Sequence, residues 1–526
     1  MIFFEFLKII FDYLTRNKLF LFFILLYLSF VTYFLIGISV IDPDFGWSLR
    51  VGEIIMQKGV PKTDPFTYTM PGFPYVDHSW LFSYFIALTY PVFSGKFLSL
   101  LLAFCVYVAV FIAVSRLNDD SELAHADLSP VYEKWLHPMV ISVIAFFLIY
   151  FSIRAQIVSW IFFSILNLLL FRKDNYSRYK YFLPIIFLIW ANLHGGYSLG
   201  IAVLGYFVFF RLIINKKGSW KDILVLVVCV LTTLLTPYGL SGWREVASSV
   251  FDSRLRWTIA EWLPSLTFFD VSMIFYVSMS SFMVFMKRKN IAKIQLFLFW
   301  VLFTMALTSR RNMPYFMLYS LPLTISAINK FYLDVTVNPG ARDRFRIAFN
   351  FIRGLSIALL LIEMFSTYWK VYFLKPFVTE RSGFYPAEAV NYLKDKNISG
   401  EIFSNYGWGG YLIWKLPEKK VFIDGRMPSW KFTPKDPDKE TESAYSDYLA
   451  IESGELDFNS VADKYNIDYV LWPVEKRTFL SKVEDRLKSI AIFNTEKNNF
   501  SFLGYLNEKG WKLIYSDLTA QIYIRL

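Results

Sequence analysis

The sequence predicts a mainly α-helical membrane protein, a bundle of about eleven transmembrane helices followed by a C-terminal α/β domain. Three observations carry that expectation. Hydrophobic residues make up 55% of the 526 and charged residues 18%, where soluble chains carry about 25% charge. The mean hydropathy is +0.40, and apolar runs recur along most of the chain, each near the length of roughly 20 residues that a span needs, or shorter where bundled helices are broken. After residue 374 the runs stop and the composition becomes mixed. Disordered, coiled-coil, collagen-like and disulfide-scaffold classes are excluded. The two cysteines, Cys105 and Cys229, lie in apolar runs and are expected as buried free thiols rather than metal ligands. A net charge of +11 fits basic cytoplasmic loops rather than a nucleic-acid partner.

The first run, 19–39, is too long for a signal-peptide core and no small-residue cleavage pattern follows, so it reads as an uncleaved anchor. Further runs lie at 97–114, 139–151, 157–171, 181–190, 199–212, 223–235, 271–286, 294–307, 313–328 and 351–372. The aromatic stretch 79–91 is expected in the interface before the second span, or as a crossing itself. Lys8, Arg16 and Lys18 precede the first span. Basic loops follow around Arg172–Lys180, Arg211–Lys221, Lys287–Lys293 and Lys330–Arg346. With the N-terminus inside, all of these fall on the cytoplasmic side, whereas the mostly acidic loop 116–136 fits that pattern badly.

Residues 375–526 form the expected soluble domain, and an odd number of spans puts it outside the cytoplasm. Candidate strands are 421–424, 469–472, 511–515 and 521–524. Helical patterns at 387–394, 443–451, 461–465 and 482–490 alternate with them. About 150 residues are enough to bury a core of their own.

The unusual polar clusters then share the outer face. Asp42-Pro43-Asp44 follows the first span directly, and the same loop continues to Asp77-His78-Ser79-Trp80. Other outer turns hold Arg154 and Gln156, His194-Gly195-Gly196, Glu261-Trp262, and Arg310-Arg311. Each has a structural reading. Asp42 and Asp44 can form an Asx-turn and a helix cap, His194 can be a satisfied turn residue, and Arg310 and Arg311 can snorkel to lipid phosphates. Tyr68, Trp80 and Trp262 can belong to an interfacial aromatic belt. Arg154, between two apolar runs, needs an anionic partner from the protein or a ligand.

The functional reading joins them. Two carboxylates can act as a general base or hold a metal, three arginines can clamp a phosphate or diphosphate, and the aromatic residues offer stacking faces. This set suits group transfer from a phospholipid carrier at the outer leaflet. The candidate substrate-binding residues are Arg154, Gln156, His194, Arg310, Arg311, Asp77, His78 and Glu261.

Asp42-Pro43-Asp44 straight after the first span resembles the acidic motif in the first outer loop of the GT-C glycosyltransferases. More narrowly, DPDFGWSLRVGEII from Asp42, PKTDPFTYT from Pro61, VDHSWL from Val76, NLHGGYSLG from Asn192, TPYGL from Thr236 and YGWGGYLIWKLPEKKVFIDGR from Tyr406 resemble a widespread group of bacterial and archaeal polytopic proteins, over most of the chain. The resemblance implies a GT-C-like bundle over 1–374 in a prokaryotic plasma membrane. It implies a glycosyltransferase that moves a sugar from a polyprenyl-phosphate-linked donor to an extracytoplasmic glycan, lipid or protein acceptor, with Asp44 or Asp42 as the catalytic base. No cofactor is fixed by it. A lipid monophosphate donor needs no metal, while a diphosphate-linked one uses Mg²⁺ or Mn²⁺, for which Asp42 and Asp44 would be the ligands. Three rivals come from other classes. A transporter or lipid flippase would show repeated halves and ionisable groups deep in the membrane. A non-enzymatic assembly or sensor protein would work through the C-terminal domain, and an acyltransferase would be built around His194. No GxxxxGK[ST] loop is present, which fits a donor other than a nucleotide sugar.

Overall fold

The computed structural model describes residues 42–116, 153–251, 259–267, 271–336, 384–396, 398–431, 443–474 and 500–526. The expected spans 19–39, 139–151 and 351–372, nearly all of the acidic loop and the helical pattern 482–490 lie outside these residues.

Helix α1 (Phe45–Lys58) begins at the acidic motif. Helix α2 (Trp80–Val114) runs for 35 residues with Pro91 inside it, about 52 Å at ~1.5 Å per residue. The aromatic stretch 79–91 is therefore the start of this helix rather than a separate interfacial segment. The next runs fold close to their expected bounds, as α3 (Gln156–Phe171), α4 (Leu183–Leu193), α5 (Tyr197–Phe209, prolonged by a π-helical turn to Ile214) and α6 (Trp220–Thr233). After the amphipathic α7 (Leu240–Phe251) come α8 (Val271–Met286), α9 (Lys293–Thr308) and α10 (Met313–Thr336). Among the described residues, Tyr197–Ile214 alone is one unbroken helix long and apolar enough to cross a bilayer. Gln156–Phe171 with Asn175–Leu193, bent by 113°, makes a second if taken as one broken span. The described residues therefore do not by themselves carry the count of eleven.

The helices pack around Phe163, Phe187, Trp190, Phe299 and Phe316, all fully buried. Their outward faces are apolar too. On α6, Trp220, Ile223, Leu224, Val227 and Leu231 are 46–67% exposed and share one face by their spacing, an area of apolar surface that marks contact with lipid or another protein. Both cysteines are free; Cys229 is buried and Cys105 half-buried.

The bundle has two chemically distinct ends. At one end, the basic loops after α3 and α5 meet at Asp222, which accepts from Lys180 Nζ at 2.7 Å and Tyr176 Oη at 3.2 Å and lies 3.8 Å from Arg211. Asp222 also closes a capping box with Ser219 at the start of α6. At that end too, Lys287 pairs with Asp334 near the finish of α10. Gln156, Tyr197 and Arg311 stand at the opposite starts of α3, α5 and α10.

The C-terminal residues form a mixed sheet in the order β1-β2-β4-β3. Strand β1 (Glu401–Ser404) pairs parallel to β2 (Ile467–Pro473), while β4 (Ala520–Arg525) runs antiparallel to β2 and to β3 (Trp511–Ser516). Around it lie α11 (Ala387–Asp395), α12 (Gly409–Lys415), α13 (Ala444–Ser453), α14 (Phe458–Tyr465) and α15 (Phe502–Glu508). Three of the four expected strands are found. The fourth, 421–424, is not in the sheet, whose remaining strand is β1, because its backbone bonds to the first loop instead. Val421 N donates to Phe66 O at 2.9 Å, and Thr69 Oγ1 donates to Phe422 O at 2.7 Å.

That exchange makes the core a joint one. Val51, Met70 and Tyr75 from the first loop and α1 are buried with Phe403, Phe422 and Val470. Tyr68 donates to Ile402 O at 3.0 Å, so it belongs to this core rather than to an interfacial belt.

Candidate active site

The chain turns into α1 through the acidic motif itself. Phe45 N donates to Asp42 O at 2.9 Å, and Asp44 N donates to Asp42 Oδ1 at 2.9 Å, the Asx-turn that the spacing allows. Asp42 is 7% exposed. Asp44 holds the N-cap position, yet its side chain makes no cap bond. Its carboxylate is 36% exposed, onto a cavity of about 520 Å³ between the helix starts, α7 and the C-terminal domain. Trp47 Nε1 donates to Asp44 Oδ1 at 3.1 Å.

Arg154 joins three carboxylates. Its Nε pairs with Asp42 and its Nη1 with Glu261, while Nη2 stands 3.6 Å from Asp44 Oδ2. Burial opposes the Arg154 charge, but Asp42 and Asp44 outweigh it and hold its pKa above the ordinary value. Burial, then the neighbouring Asp42, push the Asp44 carboxyl up against the pull of Arg154 and Trp47. Asp44 is thus a stronger base than an ordinary carboxylate, and it faces open space.

His78 and His194 stand edge to face, 5.7 Å between ring centroids. His194 Nδ1 accepts from Gly196 N at 3.0 Å and lies 2.7 Å from Ser159 Oγ, which accepts from Trp190 Nε1 at 2.7 Å. An accepting Nδ1 leaves the proton of the neutral ring on Nε2. Burial lowers the pKa of both rings, His194 the more, helped there by His78 and Arg311. Asp77 borders the cavity, but its carboxylate is engaged at the start of α2. Oδ1 accepts from Ser79 N and Oγ, and Oδ2 from Ser83 Oγ, all at 2.8 Å.

The arginines separate by role. Arg311 lines the cavity with its guanidinium 5.4 Å above the Trp262 ring, and it forms no ion pair among the described residues. Burial lowers its pKa. Arg310 lies outside the lining, its backbone N–H donating to Leu263 O at 3.0 Å. Gln156 lines the cavity from the first turn of α3, and Trp80 donates to Asn192 Oδ1 at 2.9 Å.

The C-terminal domain supplies the remaining wall, through residues that the sequence alone does not single out. Tyr406, Gly425, Arg426 and Ser429 line it; the first three fall in the YGWGGYLIWKLPEKKVFIDGR segment. At Gly425 a side chain would run into Asp44 Oδ1, and Gly46 and Gly410 let α1 and α12 touch through their backbones. Arg426 is locked between Asp424 at 2.6 Å and Asp64 at 2.9 Å, over the rings of Phe66, Tyr75 and Trp430. Glu245 on α7 accepts from Ser429 Oγ at 3.0 Å, and burial pushes its carboxyl up. No local motif marks Glu245.

Among the described residues, no three His, Cys, Asp or Glu side chains are grouped to hold a metal. Asp42 and Asp44 do not fit a divalent ion well, because the Arg154 guanidinium already stands among Asp42, Asp44 and Glu261 and supplies the positive charge there.

No family model and no curated protein sequence matches the chain. Among solved structures it is similar to the archaeal oligosaccharyltransferase AglB from Archaeoglobus fulgidus, in complex with an inhibitory peptide and a dolichol-phosphate. The TM-score is 0.56 at 12% identity, over 97% of this chain and 74% of that one. It is also similar to ArnT from Cupriavidus metallidurans in the apo state, with a TM-score of 0.52 at 11% identity, over 97% of this chain and 98% of that one. Both are GT-C superfamily membrane glycosyltransferases, and the likeness of this chain to them is one of fold.

Proposed function

We propose that the protein is an integral-membrane glycosyltransferase that moves a sugar from a polyprenyl-phosphate-linked donor to an extracytoplasmic acceptor, with Asp44 as the general base. The observation that carries this reading is the Asp44 carboxylate, free of capping duty, open to the cavity and raised in basicity. In the reaction, an acceptor hydroxyl gives its proton to Asp44 as its oxygen attacks the anomeric carbon. The bond from that carbon to the phosphate oxygen breaks, and the lipid phosphate leaves with the electron pair, so the configuration inverts. Arg311 is the cation for the leaving phosphate, since Arg154 is already matched by carboxylates. His194 offers a neutral N–H donor beside it. With Asp44, Asp42 and Glu261 close by, a singly charged phosphodiester suits the site better than a diphosphate, whose extra charge would call for a metal.

The apolar outward faces support a bilayer position, and its orientation is supported by the basic loops, which sit at the far ends of α3, α5 and α10 from the cavity. On this reading the basic end is cytoplasmic. The cavity and the domain 375–526 are extracytoplasmic, and 1–374 is the membrane part. The test is transfer by the purified full chain from a polyprenyl-phosphate sugar, with Asp44→Asn as the variant. Full activity in that variant would sink the base assignment.

A further inference from the structure

The end of the bundle far from the cavity holds more positive charge than its carboxylates match. The loops 172–180 and 211–222 carry eight Lys and Arg side chains against two Asp. Buried Asp222 is shared, with Lys180 Nζ at 2.7 Å and Arg211 Nε at 3.8 Å, so two largely buried cations face one carboxylate there. Lys216 takes the left-handed backbone conformation at φ 51°. The chain turns back through it, and Lys217 N and Gly218 N donate to Arg211 O at 2.9 and 3.0 Å. Arg211 Nη2 in turn donates to Lys217 O at 3.3 Å. Lys216 and Lys217 are thereby held beside Arg211; both are exposed, and neither meets a carboxylate among the described residues. Cations gathered in this way repel one another unless an anion joins them.

The surface around them decides the kind of anion. Ile213 and Ile214 before the turn are exposed, and so is the apolar face of α6 from Trp220 to Leu231 after it. That face is about 16 Å long at ~1.5 Å per residue, close to the ~15 Å of hydrocarbon in one leaflet. A soluble polyanion would leave it bare, whereas a phospholipid covers the cations and the apolar face together.

We propose that Arg211, Lys216 and Lys217 bind the phosphate of an anionic phospholipid whose acyl chains lie along α6 from Trp220. Such a site rests on the bilayer position proposed above and is independent of sugar transfer.

The full chain, purified in neutral detergent, is titrated with phosphatidylglycerol and separately with phosphatidylcholine of the same chain length. Bound lipid is counted by native mass spectrometry. Phosphatidylglycerol should be held about tenfold or more tightly, the scale of two or three cations near a headgroup. Lys216→Gln with Lys217→Gln should remove that preference and leave phosphatidylcholine binding and the melting temperature as in wild type. Lys289→Gln with Lys293→Gln, on another basic loop at the same end, should leave the preference intact. Equal retention of the two lipids, a preference that survives the Lys216 and Lys217 changes, or the same loss from the Lys289 and Lys293 changes would overturn the proposal. Displacement of the lipid by an equal concentration of inorganic phosphate, or by polyuridylate, would mark a site for free phosphate or nucleic acid and overturn it too. A chain that stays soluble without detergent would defeat the bilayer position and the site with it. Transfer is assayed separately. Headgroup preference without transfer leaves this site standing and defeats the glycosyltransferase reading, and transfer without the preference does the reverse.

Discussion

Asp44 donates its backbone N–H to the carboxylate of Asp42 at 2.9 Å, so the first acid of the motif anchors the second. Asp42 also pairs with Arg154 and is buried, whereas the Asp44 side chain is left to the cavity. The division of labour between two adjacent acids follows from that one bond.

Asp44→Asn is therefore expected to lower transfer by roughly 10²–10⁴-fold with the melting temperature held or raised. Asp42→Asn keeps an oxygen for the turn but weakens the Arg154 pair, at a cost of about 1–3 kcal/mol. Its activity loss should track its stability loss. Paired transfer assays and thermal melts check both. An Asp42→Asn protein as stable as wild type but inactive would reverse the assignment.

The pH response carries two signs. Asp44 is raised by burial and then by Asp42, and a base must be deprotonated, so the rate should fall with acid through a pKa above the ordinary ~3.9. A carboxyl raised on folding makes the folded state less stable once pH rises through its folded pKa. Asp44→Asn should thus gain stability over wild type at neutral pH and lose that margin in acid. His194 and His78 are lowered mainly by burial, so their contribution is present at neutral pH and is lost as pH falls below ~6.5. Melting temperatures across pH for wild type, Asp44→Asn and His194→Gln separate the two.

Gly425→Ala puts a methyl against the Asp44 carboxylate, a side chain that can swing, whereas Gly410→Ala meets the Pro43 carbonyl, a fixed backbone atom. The first should cost activity far more than stability. The second should cost stability, on the order of 1–3 kcal/mol for an overpacked contact. Equal melting temperatures for the two variants would contradict this reading of the α1–α12 contact.

The joint core gives residues 375–526 on their own an incomplete interior, since Val51, Met70 and Tyr75 are missing from it. Expressed alone, the segment should melt over a broad range. A version fused to residues 42–78 should sharpen the transition. A sharp transition in the shorter piece would show that the first loop merely covers a core already closed.

The sequence alone determined the elements whose cause is local. Apolar run length placed α3 to α6, α8 and α9 within a few residues, and the start of α10, which runs eight residues past its expected end at 328, because burying a helix face depends on periodicity along the chain. The two-residue spacing of Asp42 and Asp44 located the acidic pair, and the change of composition after residue 374 set the expectation of an α/β part, whose sheet lies within residues 401–525. Only the tertiary structure decided which charge met which. Arg154 lies 112 residues from Asp42 and 107 from Glu261, so nothing local says that it is neutralised while Arg311 meets no ion-pair partner among the described residues. The 421–424 segment reads as a strand by its residues, and it lost that role because the first loop competed for its backbone. Glu245 carries no motif, and Gly425 matters only because Asp44 arrives beside it. Ion pairing, desolvation and close backbone approach depend on distances through space, which the folded chain sets and the order of residues does not display.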